Sequence, residues 1–397
     1  MKLLGSNNNI PVFGDPLQNA VDQMDNVMRC GAYRCALMAD HHLGYSVPVG
    51  GVVAYEGYIS PSAVGFDISC GNKAVLTDAT LSDVKGDISR IMDDVVSHIS
   101  FGIGRVNKTK VDHALFDSAQ WTDIEMLRPL KDMARAQLGT VGSGNHYVDI
   151  FADEQERIWI GVHFGSRGLG HKIASHYIKA GGGTDGILVD PVLLDVHADL
   201  GREYITAMLL AGDYAYAGRD WVCAEVARLL GANILDQVHN HHNYAWLEPH
   251  DGFELWVVRK GATPAWPGQR GFVGGTMGEN SVILQGMESD LSAAALYSTV
   301  HGAGRLMSRT EAAGKCKWVG GQKVRVSEGK VSQRMMDQWL SDANVELRGG
   351  GCDESPHAYK RLSDVLAAQG DTVQVLHQLT PLGVAMAGAD VFDPYKD

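Results

Sequence analysis

Several features that would fix the class of this chain are missing. No run of about 18 apolar residues is present, so no helix that crosses a membrane is expected. The opening residues MKLLGSNNNIPVFGD carry no long apolar segment, so no secretory leader is expected either. None of the six cysteines (Cys30, Cys35, Cys70, Cys223, Cys316 and Cys352) forms a CxxC pair, which disfavours zinc ribbons and thioredoxin chemistry. Six cysteines in 397 residues do not make a disulfide framework, and a reducing cytoplasm is the expected setting. There is no GxxxxGK[ST] P-loop, and no GxGxxG follows a strand and opens a helix as a Rossmann site would. No repeat of 20–50 residues and no low-complexity linker interrupts the chain. Positive charge is also short. Lys+Arg is 34 against Asp+Glu 47, a net of −13, which counts against a general nucleic-acid coat protein.

Glycine is in excess, at 47 residues of 397. That is about 12% against an average near 7%, and there is no Gly-X-Y period, so collagen is excluded. Helical periodicity is clearest over 17–28, 81–99 and 123–138, the last opened by a Thr122/Glu125 capping box. Two further helices are predicted over 199–217 and 220–239. Strands are predicted over 47–54, 157–163, 254–258 and 281–284, with a hairpin over 323–331 turning at Glu328-Gly329. Strands and helices mix without a regular βαβ alternation. The expectation is an α+β fold: a single large mixed-sheet domain over residues 1–397, not a doubly wound sheet.

Charge is uneven. From His301 to Lys330 there are seven basic residues (Arg305, Arg309, Lys315, Lys317, Lys323, Arg325, Lys330) and two acids, a net of +5. Such a stretch is either a solvated face or a local anion-binding surface. The sixteen histidines cluster after glycine-rich turns and strand ends: Gly144-Asn145-His146, Val162-His163-Phe164-Gly165, His241-His242-Asn243 and His301-Gly302-Ala303-Gly304-Arg305. Gly65-Phe66-Asp67-Ile68-Ser69-Cys70-Gly71 adds an aspartate and a cysteine three residues apart. Carboxylate, thiolate and neutral imidazole are the usual ligands of divalent metals. Any one of these histidines alone is as readily a hydrogen-bonded structural residue. Glycine-rich loops at Arg259–Pro264 and Gly274–Gly278 have the backbone freedom to cradle oxyanions, or are ordinary turns.

Nine such segments occur in a fixed order along nearly the whole chain. They run from Asp40-His41-His42-Leu43-Gly44-Tyr45 and Pro48-Val49-Gly50-Gly51 through the segments above. They end at Asp353-Glu354-Ser355-Pro356 and Ala358-Tyr359-Lys360. In this the chain resembles the RtcB-type RNA ligases, which join RNA ends using GTP and Mn²⁺. The resemblance implies a two-metal site of Asp67, Cys70, His146, His163 and His242, with Cys70 bridging two Mn²⁺ ions. It implies that His301 attacks the α-phosphate of GTP to give a guanylyl-histidine. Guanylate would be held by Asn145, His146, Tyr147, Val148, Asp149, His242, Asn243, Gly274, Gly275, Thr276, Met277, Ser281, His301, Gly302, Ala303 and Gly304. The implied reaction joins an RNA 3′-phosphate or 2′,3′-cyclic phosphate to a 5′-hydroxyl through an RNA(3′)pp(5′)G end, in RNA repair or tRNA splicing. His41, His42, His171, His197, His239 and His241 receive no metal-ligand role, and the tryptophans are read as core or pocket wall.

The chain departs from the family pattern in places. Many relatives end in Val-Lys-Gly, whose lysine contacts the guanylate. Here Met386 stands in that region, and Lys396 is the one late lysine that an added tail could bring back. Asp149 replaces a usual glutamate, Phe164 a usual serine or threonine, and Gly218-Arg219 a usual Asn-Arg. No metal ligand or nucleophile is lost. A competing reading is a metal-dependent RNA-end phosphoesterase that has lost guanylylation; a third is a non-catalytic RNA- or metal-binding module.

Overall fold

The structure, a computed structural model, describes residues 1–319, 322–389 and 391. Lys396, and the side chains of Lys323 and Arg325 in the basic stretch, lie outside the described residues. The expected α+β mixture is present. One six-stranded sheet has the order Lys2–Leu4, Ile10–Val12, Arg34–His42, Val49–Tyr55, Phe253–Lys260, Asn243–His250. A larger, mainly antiparallel sheet runs Ile234–His241, Gly71–Thr80, Arg157–Phe164, Tyr147–Ala152, Val373–Gly388, Ser281–Gly286, Arg270–Val273. Glu346–Gly350 pairs parallel to Val373–Gly388 beside it. The two ends of the larger sheet approach one another. Asn240 Oδ1 accepts from Phe272 N at 3.0 Å, and the Arg270 guanidinium clasps Asp236 at 2.6 Å, so the sheet nearly closes on itself.

Near closure gives each central strand two buried faces, and the period-two pattern assigns them. In Arg157–Phe164, residues Ile158, Ile160, Val162 and Phe164 pack with Val222, Cys223 and Val226 of the helix Asp199–Leu230. Trp159, Gly161 and His163 face the inside. In Tyr147–Ala152, the residues Val148, Ile150 and Ala152 join the helix-side core, while Tyr147 and Phe151 point inward.

Local predictions met tertiary context in several places. The two helices expected over 199–217 and 220–239 are one 32-residue helix, Asp199–Leu230, followed by the strand Ile234–His241. Gly218 does not break it. A Cβ there would sit 3.3 Å from the Phe164 ring, so the small residue lets the helix lie close on the sheet. The helix stops at Gly231, whose φ of 67° is the left-handed conformation that ends helices. The stretch 81–99 divides into Leu81–Val84 and Ile88–His98, with a capping box at Thr80/Asp83. The stretch 123–138 divides into the 3₁₀ turn Glu125–Leu130, which contains Pro129, and the helix Lys131–Gln137. Thr122 forms no capping box, because its hydroxyl donates to Ala119 O at 2.8 Å. The hairpin is Cys316–Val319 with Gln322–Arg325, earlier than expected. The remaining strand predictions hold, at Val49–Tyr55, Arg157–Phe164, Phe253–Lys260 and Ser281–Gly286.

Gly161 tests the tight interior of the larger sheet. A Cβ there would lie 2.6 Å from Phe151 and 2.8 Å from Phe272, both fully buried rings. Gly161→Ala is expected to destabilise the fold by about 1–3 kcal/mol, the usual cost of overpacking. The shift of the urea unfolding midpoint measures it, and an unchanged midpoint would show that the rings yield freely.

Candidate metal and nucleotide site

The mouth of the larger sheet meets the six-stranded sheet at a cavity of about 300 Å³. Backbone hydrogen bonds assemble one wall. Asp67–Cys70 closes a turn through Cys70 N to Asp67 O at 2.9 Å, with Ser69 in the left-handed region at φ 62°. Ser69 N donates to Asn243 O at 2.7 Å and His242 N to Cys70 O at 2.8 Å, so the turn and the His242 corner are stitched together. His163 enters from the inner face of its strand. His146 follows the glycine-rich turn at 142–144, where a Cβ on Gly142 would fall 1.9 Å from His146 Nδ1. Gly165 plays the same part opposite Asp67, whose Oδ1 lies 2.3 Å from the Cβ position. Part of the glycine excess is thus explained by steric need beside these side chains.

Five side chains singled out from the sequence converge. Cys70 Sγ lies 3.2 Å from His163 Nε2 and 3.5 Å from His146 Nε2, and His146 Nε2 lies 3.0 Å from Asp67 Oδ2. Two sets of donors, Cys70/His163/His242 and Asp67/Cys70/His146, each have their ligand atoms within 4.8 Å of one another, and both contain Cys70. Burial holds the His163 and His242 imidazoles well below their ordinary pKa, so both are neutral and offer lone pairs. Burial, and then the Asp67 charge, raises the Cys70 thiol. Burial tends to raise Asp67, but the hydrogen bond and charge of His146 outweigh it and keep the carboxyl below its usual range. Among the described residues the buried Nδ1 atoms of His146 and His242 have no hydrogen-bond partner. A thiol, a carboxylate and three imidazoles crowded together with unpaired nitrogens fit divalent transition metals.

His301 stands beside this cluster, its ring centroid 4.8 Å from that of His242. Its Nδ1 is 2.7 Å from Asp40 Oδ2, and the same oxygen accepts from the His301 and Gly302 backbone N–H groups at 3.1 and 3.4 Å. Burial works to raise the Asp40 carboxyl, but the His301 charge and hydrogen bonds bring it below its usual range. A fixed carboxylate acceptor puts the ring proton on Nδ1 and leaves the Nε2 lone pair available.

The expected nucleotide residues divide in two. Asn145, Tyr147, Asp149, Asn243, Gly274, Gly275, Thr276, Met277, Gly302, Ala303 and Gly304 line the cavity with His146, His242 and His301. Val148 and Ser281 do not. Val148 faces the helix-side core, and Ser281 shapes the loop from behind, its Oγ accepting from Gly275 N at 2.9 Å. Asp149 carries a buried carboxyl raised by desolvation, with Oδ1 unpartnered among the described residues. Arg305 and Arg309 also line the cavity and share the Glu354 carboxylate, at 3.2 and 3.0 Å. Met386 lines it too. Lys260 is the lysine in the lining, but its Nζ donates to the Tyr45 and Ser62 carbonyls and burial pushes it down to about 7.

Sequence reasoning missed Asp40, Arg219 and Glu354 as site residues. Asp40 was visible in its motif, yet its partner lies 261 positions away. Arg219 is fully buried behind the candidate metal cluster. It donates to Ser69 O at 3.0 Å, Phe164 O at 2.5 Å, the His241 ring at 3.0 Å and His239 Nε2 at 2.7 Å. Ser69, Phe164 and His241 are the chain neighbours of Cys70, His163 and His242. His239 and His241 meet Arg219 on the far side of the cluster.

A family profile described as tRNA-splicing ligase RtcB matches residues 23–387. The chain belongs to the RtcB family. The RNA-splicing ligase RtcB1 of Escherichia coli (strain ATCC 25922) is 31% identical, over 93% of each chain. The tRNA-splicing ligase RtcB of Thermococcus kodakarensis is 30% identical, over 92% of this chain and 90% of its own. The RNA-splicing ligase RtcB of Mycobacterium tuberculosis is 28% identical, over 87% of this chain and 95% of its own.

Partners that orient ligand-bearing loops typically contribute about 10–100-fold to metal affinity. Arg219→Met is expected to weaken binding of a divalent metal by about that factor, read by calorimetric titration with Mn²⁺. Wild-type affinity in a folded variant would show that the loops hold their places without the guanidinium.

Proposed function

We propose that this RtcB-family protein is a GTP- and Mn²⁺-dependent RNA ligase, joining RNA 3′-phosphate or 2′,3′-cyclic phosphate ends to 5′-hydroxyl ends. The observation that carries the reading is the Asp40–His301 pair set against two donor sets that share one thiol. The whole chain acts as one catalytic unit, in RNA repair or tRNA splicing in the cytoplasm.

Asp67, Cys70, His146, His163 and His242 would hold two Mn²⁺ ions through a shared Cys70, and those ions would supply charge neutralisation at the transferring phosphoryl groups. Asp40 fixes the His301 ring so that Nε2 is the nucleophile. Nε2 bonds to the α-phosphorus of GTP as the bond to pyrophosphate breaks, and Asp40 stabilises the positive charge that develops on the ring. Once a cyclic end has been opened by water to a 3′-phosphate, an oxygen of that phosphate displaces His301 from the guanylyl phosphorus. The RNA then carries GMP through a pyrophosphate link. The 5′-hydroxyl of the second RNA attacks the RNA-side phosphorus and GMP departs, so that bonds formed and broken balance at each stage. Asn145, Asp149 and the Gly274–Met277 loop hold the nucleotide, while Arg305 and Arg309 face phosphate.

Protein mixed with GTP and Mn²⁺ is expected to acquire a covalent GMP label that His301→Ala abolishes. Asp40→Asn is expected to slow labelling by about 10²–10⁴-fold, the usual range for a lost proton-handling partner. Cys70→Ala is expected to lose both label and bound metal. Met386 in the cavity wall favours one rival, a phosphoesterase without guanylylation. Turnover of cyclic phosphate ends by unlabelled wild-type protein, with no requirement for GTP, would establish that rival.

A further inference from the structure

A second concavity of about 400 Å³ lies beside Met386, a residue of the catalytic cavity wall. Met386 belongs to the lining of both. The floor of this groove is apolar, from Val96, Ile99 and Phe101, and its rim carries Arg105, Lys108 and Arg348. Among the described residues no carboxylate lines it. Arg348 is offset from outside by Asp93 at 2.6 Å and Glu346 at 3.0 Å. Arg105 and Lys108 are exposed and have no carboxylate partner among the described residues. In a chain of net charge −13, a concave strip with cations and, among the described residues, no lining acid stands apart.

The cations are also held in place relative to the reaction centre. Gly102 N donates to Val141 O at 2.9 Å and to Gly142 O at 3.1 Å, on the segment that leads to His146. Arg167 Nη2 donates to Gly102 O at 2.8 Å, and Asn107 Nδ2 to Leu138 O at 3.1 Å. Ser100 Oγ donates to Val106 O at 3.0 Å, and Lys108 Nζ to Ser97 O at 3.1 Å. The basic loop is thereby fastened to the same turn that carries a metal-cluster histidine.

We propose that this groove is an RNA subsite: it holds the phosphodiester backbone of the single strand whose end lies in the catalytic cavity. Arg105 and Lys108 face successive phosphates, and the apolar floor takes ribose and base edges. The inference rests on the RNA ligase reading for what the strand is, and on the groove itself for where it runs. Phosphate contacts release counterions, so each one contributes about 0.7 to the salt slope of single-strand binding.

The test uses the full chain carrying Arg105→Glu and Lys108→Glu together. Fluorescence anisotropy follows binding of an RNA oligonucleotide with a 3′-phosphate, long enough to fill the groove, over a range of salt. The expected result is binding about tenfold weaker at 0.1 M salt, with a salt slope reduced by about 1.4. A dinucleotide bearing the same end, too short to reach the groove, is expected to bind the variant and the wild type alike. In joining assays KM for the long RNA rises while kcat holds, and labelling by GTP alone, which needs no RNA, reports an intact fold. Equal binding of the long RNA by both proteins overturns the proposal, as does equal weakening for long and short RNA. Wild-type protein that takes no GMP label would sink the ligase reading, while the long-against-short comparison would still decide the groove.

Discussion

One buried guanidinium organises the centre of this molecule. Arg219 sits at full burial on the long helix and spends its donors on the Ser69 and Phe164 carbonyls and two imidazoles. A buried cation must be paired or hydrogen-bonded, because desolvation is costly. Here three of the four acceptors, on Ser69, Phe164 and His241, are one residue away from Cys70, His163 and His242. The need to satisfy Arg219 thus gathers three segments that carry candidate ligands and lie far apart in the chain. Cys70 and Asp67 then have one place to be, and His146 closes on them because Gly142 leaves room.

How much of this could be read from the chain depended on range. The five donors and His301 stood out because each follows a glycine turn or ends a strand, and their order matches a known family. The α+β class followed from mixed periodicities. Relations between distant residues were not legible. Nothing near Asp40 names His301 as its partner, and nothing near Arg219 says that it faces the back of the cluster. Boundaries failed where packing overrode local propensity. Gly218 falls between the two predicted helices but lies within one continuous helix, in close contact with Phe164. Val148 reads with its neighbours as a nucleotide residue, but strict alternation turns it to the other face.

Charge illustrates the same limit. The basic segment after His301 reads either as a solvated face or as an anion-binding surface. In the structure Arg305 and Arg309 converge on the Glu354 carboxylate in the cavity wall, while Lys330 pairs with Glu311. The cations without carboxylate partners at the groove come from a different part of the chain, around Arg105 and Lys108. Net charge governs solubility and long-range approach, whereas a site needs only a few cations in the right concavity.

The 32-residue helix has a mechanical consequence. At 1.5 Å per residue it is about 48 Å long. Its first half, from Tyr204 to Ala217, is embedded in one hydrophobic core, and its second half, from Val222 to Ala227, in another. It passes between them without a break at Gly218. Such a strut joins the two cores through continuous helix rather than through a hinge loop. With no hinge loop in that strut, the way into the cavity is the mouth where the two sheets meet.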